Sequence, residues 1–433
     1  MTGEVSRPPP AKRQKKPGTT GASSLGDDLL HEIFLRLPSL ATLVRAAHTC
    51  RSWRRAVASC RAFRRRFRAT HPAPHLGLYS FQASAAPPAA FPSFAPTRFS
   101  GKDQAAAVRG GDFFLTSLEE RSDGAHGWEI HDCRGGYVLL GNGDQKTMCV
   151  INPLAPRSRR FFQFSYKDMI EGHRGIPVLH KACLLLSSEE DEDPFSFRVV
   201  RIANHESRVR VKVFSSDTQE WSLYPWVHLR EGPPAGSGPG STSWLLRTNM
   251  QVNGFVYWIY TTQRRMVTLD TATMSFSVDE LPICRDDSTF SIGETSNGES
   301  CILYAFNDFR VRVLLREINT DGVQKWVLGK SEQLETELHR VLGKQVMKYC
   351  YGLQVVAVRD GFAYLGTLNK LENTEHCVGP SSWILSLSLE TMKLQDTLFE
   401  RMSRSCFLPI CHVMAFYLTW QLWFFFALEY GNT

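Results

Sequence analysis

The sequence predicts an α plus all-β chain in unequal parts: a small helical head, then an antiparallel, propeller-like β body. Three observations support that division. Residues 1–75 carry 15 Lys+Arg against 4 Asp+Glu, a net of +11, while the rest of the 433-residue chain carries 35 against 39, a net of −4. Apolar residues between 24 and 68 recur at helical spacing. From about residue 110, short runs rich in Val, Ile, Tyr, Phe and Trp alternate with Gly, Asn, Asp and Ser turns. Charged residues at 21% and aromatics at 11% are ordinary, which excludes wholesale disorder, a collagen-like repeat and a simple coiled coil. Eleven cysteines form no CxxC pair, and the first residues lack an apolar signal core, so a reducing compartment is expected: nucleus and/or cytoplasm.

Residues 1–23 hold too few apolar side chains to offset chain entropy and are expected to be a disordered basic tail. Within them Lys12, Arg13, Lys15 and Lys16 form a candidate nuclear-import signal, the competing reading being a solvated tail. Residues 24–68 then predict three short helices. Leu29, Leu30, Ile33, Phe34 and Leu37 make a wide stripe, preceded by Asp27 and Asp28 and stopped by Pro38. Ser39 can cap a second helix through Leu40, Leu43, Val44 and Ala47, and a third runs through Cys50, Trp53 and Val57 toward Phe63 and Phe67. So small a bundle cannot cover its own core on all sides, and part of the stripe is expected to face a partner.

These residues carry a resemblance. Ser24-Leu25-Gly26-Asp27-Asp28-Leu29-Leu30, Ile33-Phe34-Leu35-Arg36-Leu37-Pro38, Leu43-Val44 and Cys50-Arg51-Ser52-Trp53 resemble an F-box, with Gly26 standing where that family usually has Pro. The resemblance implies docking on a Skp-type adaptor and, through it, on a cullin. The implied adaptor contacts are Leu29, Leu30, Ile33, Leu37, Leu43, Val44 and Trp53, with Leu25 and Cys50 peripheral.

Residues 69–109 are rich in Ala and Pro; the early part reads as a linker and the later part as entry into the body, which is expected over 110–405. Two motifs recur there. One is Gly before an aromatic-rich strand: Gly135-Gly136-Tyr137, Gly254-Phe255 and Gly361-Phe362. The other is an acidic-Thr turn: Asp217-Thr218 with Trp221, Asp270-Thr271 with Met274, Glu390-Thr391 with Leu394, and a looser relative at Asn319-Thr320. Asp217 to Asp270 is 53 residues and Thr271 to Thr320 is 49, the period of kelch-type blades; Thr320 to Thr391 is 71. Together, and especially through Val252 to Pro282, these segments resemble the F-box-associated β-domain of plant F-box proteins. Such a pairing implies a non-catalytic, substrate-recognition subunit of a ubiquitin ligase whose β-domain binds an unidentified target protein.

No GxSxG, HExxH, phosphate-loop or dinucleotide-binding pattern appears, and no catalytic residue, cofactor or metal is expected. Cys406, Cys411 and His412 lack a second ligand pair. His131, Asp132 and Cys133 read as strand residues whose polar members face water. Eight arginines between Arg51 and Arg68 invite a nucleic-acid reading; the favoured one is a solvated helical face, so nucleic acid is not expected as a partner. A basic-headed propeller that binds nucleic acid or acts as an enzyme is the competing function. The tail 406–433 is apolar, with no charged residue from Cys406 to Leu428. A membrane span through 406–428 is the less favoured reading; the favoured one has the first half of that segment covering the β-domain.

Overall fold

The computed structural model describes residues 25–71, 75–80, 93–96, 102–118, 127–143, 146–155, 157, 159–171, 177–180, 182–186, 196–205, 207–229, 245–260, 265–282, 288–318, 324–359, 361–369, 382–401 and 413–417. They fall into a helical unit within residues 1–72 and a β unit within 73–426.

The helical unit holds α1 (Asp27–Leu35), α2 (Leu40–Thr49), α3 (Arg51–Ser59) and α4 (Arg61–Thr70). α1 starts from extended backbone at Gly26, with Asp27 and Asp28 in its positive first turn, and ends ahead of Pro38. Ser39 and Thr42 form a capping box on α2: the Thr42 N–H donates to Ser39 Oγ (3.3 Å) and the Ser39 N–H donates to Thr42 Oγ1 (3.1 Å). Extended backbone at Cys50 and Cys60 separates α3 from its neighbours. The third predicted helix is therefore two, because the chain breaks at Cys60. Leu30, Phe34, Leu43, Val44, Val57, Phe63 and Phe67 are buried. Phe34 meets Trp53 edge-on at 5.3 Å, and His31 stacks on Phe63 at 4.8 Å while donating from Nε2 to Ala56 O at 2.9 Å.

The β unit is a five-bladed antiparallel propeller closed by a sixth, three-stranded sheet. Blade 1 contains β3 (Trp128–Arg134), β4 (Tyr137–Asn142), β5 (Thr147–Ile151) and β6 (Arg160–Gln163) in that spatial order. Before it, the chain forms β1 (His75–Ser80), β2 (Ser93–Pro96) and α5 (Lys102–Gly110); after it comes a single turn, α6 (Lys167–Ile170). Blade 2 keeps the four-strand plan with its first and last strands broken. β7 (Val178–Leu179) and β8 (Cys183–Leu186) pair with successive parts of β9 (Phe197–His205). β11 (Glu220–Leu223) and β12 (Val227–His228) pair with opposite parts of β10 (Arg208–Ser215). Blade 3 is β13 (Leu245–Val252), β14 (Phe255–Tyr260), β15 (Arg265–Asp270) and β16 (Ser275–Glu280). Blade 4 is β17 (Ser288–Glu294), β18 (Ser300–Phe306), β19 (Arg310–Ile318) and β20 (Gln324–Gln333). After α7 (Glu335–Met347), blade 5 is β21 (Cys350–Arg359), β22 (Phe362–Asn369), β23 (Ser382–Ser388) and β24 (Leu394–Arg401). First strands of the blades lie against one another, β3 on β8, β13 on β17 and β17 on β21, so they line the axis. The inner approach is close enough that a Cβ at Gly293 would overlap the Val358 carbonyl.

The sixth sheet has the order β2-β1-β25, where β25 is Val413–Tyr417. Its antiparallel register sets Leu78 against Ala415 and Ser80 against Val413. Leu76, Tyr79 and Phe94 join the core of blade 1, and Leu78 packs with Tyr364 and Ile384 of blade 5. Strands from both ends of the β unit thus close the ring. Within the span 69–109 the described residues include β1, β2 and most of α5, so strand structure of the β unit already begins at His75. Of the tail, residues 413–417 form β25, and the rest lies outside the described residues; among those described, no helix is long and apolar enough to cross a membrane.

Both sequence motifs are turns. Gly136, Gly254 and Gly361 take positive φ between the first and second strands of blades 1, 3 and 5. The acidic-Thr motif lies between third and fourth strands, but its register differs from the sequence alignment. The backbone N–H groups of Gln219, Met274 and Met392, all at positive φ, donate to the carbonyls of Ser215, Asp270 and Ser388 at 2.9, 2.8 and 2.8 Å. Thr218 and Thr391 therefore correspond to Thr273, not Thr271, with Phe276 in the place of Trp221 and Leu394. The long interval between Thr320 and Thr391 contains α7.

One further expectation is overturned. His131, Asp132 and Cys133 do not alternate between core and water; all three are buried, because a register shift between Ile130 and Asp132 breaks the alternation. Asp132 Oδ1 accepts from the Cys133 N–H (2.8 Å) and from Arg359 Nη2 (3.1 Å). Its Oδ2 accepts from the Leu184 N–H (2.9 Å) and Gln251 Nε2 (2.9 Å). Blades 1, 2, 3 and 5 converge on this carboxylate. Burial alone would lower the Arg359 pKa, but the adjacent Asp132 charge helps to reverse that and holds it above its ordinary value.

Asp132→Ala leaves a buried guanidinium unpaired and should cost about 3–5 kcal/mol, read as a lower urea midpoint; adding Arg359→Met should restore part of the loss. Deleting 413–433 removes one of the two strand partners of β1, and limited proteolysis should then cut within 75–80 where the full chain resists. Gly26 has φ −65° and nothing within 4 Å of an added Cβ, so Gly26→Pro should stabilise α1 by roughly 0.4–1 kcal/mol, read as slower amide exchange along it.

Candidate functional site

The stripe on α1 divides between two faces. Leu30 and Phe34 point into the helical unit, at 1% exposure each, while Leu29 and Ile33 stand outward at 53% and 43%. Four residues apart, Leu29 and Ile33 are neighbours on one helical face. Leu25 and Leu37, one further step of four at either end, are half-buried. The other residues expected to touch an adaptor are placed differently. Leu30, Leu43 and Val44 are buried in the unit's own core; on α1 the stripe is broad enough to cover both the bundle and an outer face. Trp53 is half-buried against Phe34 and belongs partly to that core. Cys50 is half-buried at the α2–α3 junction, where the Ser52 hydroxyl (3.1 Å) and then the Trp53 N–H hold its thiol below the usual value.

Arg51, Arg55 and Arg66 are exposed, and Arg66 pairs with Glu32 at 2.9 Å across α4 and α1. Arg54 and Arg64 are half-buried, and the side chains of Arg61, Arg65 and Arg68 lie outside the described residues. The import candidates Lys12, Arg13, Lys15 and Lys16, and the residues Cys406, Cys411 and His412, lie outside the described residues.

In the β unit, Asp132 is sealed and its oxygens are taken by four donors, so it holds blades together rather than offering a proton acceptor. Sequence reasoning missed its partners Gln251 and Arg359, which lie more than 100 residues away. Burial, by disfavouring the thiolate, pushes the thiols of Cys133, Cys149 and Cys301 up to about 12, as expected of core-filling cysteines. Among the described residues no group of three His, Cys, Asp or Glu side chains is placed to hold a metal ion.

Comparison with known proteins places both units. An F-box-like family model matches residues 23–69. The model described as F-box protein AT5G49610-like, beta-propeller, matches residues 129–359, more than half of the chain. No curated protein matches. Among solved structures, the chain is similar to the Neurospora crassa Pan2 WD40 domain (10% identity, 61% of this chain and 63% of that one, TM-score 0.30). It is also similar to the N-terminal domain of Nup159 (11%, 62% and 60%, TM-score 0.31) and to an oligogalacturonate lyase in complex with manganese (9%, 64% and 65%, TM-score 0.34). The chain spans under two thirds of the length of each of these, and at such scores the likeness carries nothing about function. A helical F-box unit carrying an outward apolar pair, joined in one chain to a propeller matched across its first four blades and into its fifth, identifies this protein as a member of the AT5G49610-like family of F-box proteins.

Proposed function

We propose that this chain is the substrate-recognition subunit of a Skp-cullin-F-box ubiquitin ligase and performs no bond chemistry itself. The observation that carries this reading is the open pair Leu29 and Ile33 on α1, inside the span matched as F-box-like. Two large aliphatic side chains held out from so small a unit gain free energy only when another surface covers them. A Skp-type adaptor is the partner that an F-box supplies, with the cullin reached through it, and the propeller is left to hold a target protein. The mechanism is then effective concentration: a target tethered near a charged conjugating enzyme meets it quasi-intramolecularly, and no catalytic group is needed on this chain. The protein would work in the nucleus and/or cytoplasm, with Lys12, Arg13, Lys15 and Lys16 as its import signal.

The test is capture of a purified Skp-type adaptor by the full chain. Ile33→Asp should abolish capture, since a carboxylate desolvated in that interface costs at least about 2 kcal/mol, while the far-ultraviolet β signal stays unchanged. Because Ile33 is already exposed, the variant should fold. Undiminished capture would end the assignment.

A further inference from the structure

Alternation along β9 and β10 decides what faces what in blade 2. Val200, Ile202, Val209, Val211 and Val213 pack toward blade 3. Phe197, Val199, Ala203 and Phe214 pack toward Phe162 and Phe164, on the side of blade 1. Arg201, Arg210 and Lys212 share the second parity, with Arg208 and His205 at the far end of the same face, and therefore stand on the side that packs toward those aromatic rings.

Their charges are poorly balanced. Arg201 and Lys212 are directly opposite in the antiparallel register, a like-charge pairing that strands ordinarily avoid. Lys212 is 3% exposed and pairs with Asp168 at 2.6 Å. Arg210 donates from Nε to Tyr224 O (2.9 Å) and from Nη1 to Glu171 O (2.9 Å), both backbone carbonyls. Arg201 lies over the Phe164 ring at 4.4 Å, and among the described residues no hydrogen bond or ion pair reaches its guanidinium; its Nε is buried. Burial takes its pKa down to about 10, with Glu129 and then Tyr166 opposing. Lys212 also lies 5.5 Å from Phe164 and 5.3 Å from Trp221. Aromatic faces can hold cations in place, but they supply no formal negative charge. Among the described residues, only Lys212 of these three cations is in contact with a carboxylate.

We propose that this wedge between blades 1 and 2 is an oxyanion-binding site, in which a phosphate or carboxylate group is taken by the Arg201 guanidinium with Lys212 and Arg210 beside it. A planar fork of donors suits either group, and the half-buried Tyr166, Trp221 and Trp226 form the surround. The site is in the β unit and is independent of adaptor docking.

The experiment is a titration of the full chain with inorganic phosphate and, separately, with succinate, at ionic strength matched with chloride, read by calorimetry and by thermal midpoint. A saturable response to phosphate is expected. A response to both anions assigns the site to oxyanions generally, and a response to phosphate alone assigns it to phosphate. Arg201→Met, which keeps an unbranched chain on Phe164 without the charge, should abolish the response. Arg201→Lys, which keeps the charge without the fork, should weaken binding about tenfold. Arg160→Gln, an exposed change on β6, should leave it as in the unaltered protein. The proposal is overturned if neither anion acts beyond chloride, or if Arg201→Met responds like the unaltered chain. Should Arg201→Met fail to fold, equal affinity in Arg201→Lys overturns it.

Discussion

The carboxylate of Asp132 is the point on which the β unit depends. A propeller of consecutive blades has a weakness in its topology: each blade packs on its neighbours, but little in the strand pairing joins blades that are not adjacent. Asp132 supplies such a link, since its two oxygens accept from blades 2, 3 and 5 as well as from its own strand. A buried charge is costly in isolation and tolerable when every lone pair is engaged, so the group favours only arrangements that bring these donors together. Arg359 doubles the link by also donating to the Cys133 carbonyl, and Arg134 donates to the Gln251 carbonyl at 2.7 Å. The center is polar because it must be directional; the apolar clusters between blades hold them in contact without fixing their angular order.

The helical unit obeys the opposite constraint. It is too small to hide all its apolar surface, and among its described residues the ion pair present, Arg66 with Glu32, is exposed. Its order comes from the ends of its helices, from Ser39 and Thr42 at α2 and from Pro38 ahead of it, and from one aromatic cluster around Phe34, Phe63 and Phe67. Leu29 and Ile33 are what remains once that cluster is full. The residues that make the unit fold and those available to a partner are thus adjacent in sequence, one position apart on α1.

What could be read in the sequence was local. Glycines at positive φ before aromatic strands announced three hairpins, and the Ser39 cap and Pro38 stop announced two helix ends, because each is a short-range steric or hydrogen-bonding requirement. The outward pair Leu29 and Ile33 was legible only as part of a stripe; which half faces outward depends on the other helices covering Leu30 and Phe34. The burial of Asp132 was hidden because one bulge defeats the two-residue alternation, and its partners are remote. The acidic-Thr motif misled for a related reason: Asp270-Thr271 looks like Asp217-Thr218, yet the hydrogen bond closing the turn runs from Met274 to Asp270, and that bond sets the equivalence.

The closing sheet is the least legible element and shows why. β1 sits in an Ala- and Pro-rich stretch, and β25 lies in a segment without charge, so each alone suggests something other than a propeller strand. Together they make sense. β25 runs beside β3 and β21, where a strand is flanked on both sides by first strands of blades. A strand there needs no charged positions and no polar alternation, only backbone donors and acceptors met by β1. The five residues Val413–Tyr417, all uncharged, suit such an inner strand. The closure also pairs residue 78 with residue 415, which places the two extremes of the β unit in one sheet and makes the completion of the ring depend on chain far from its start.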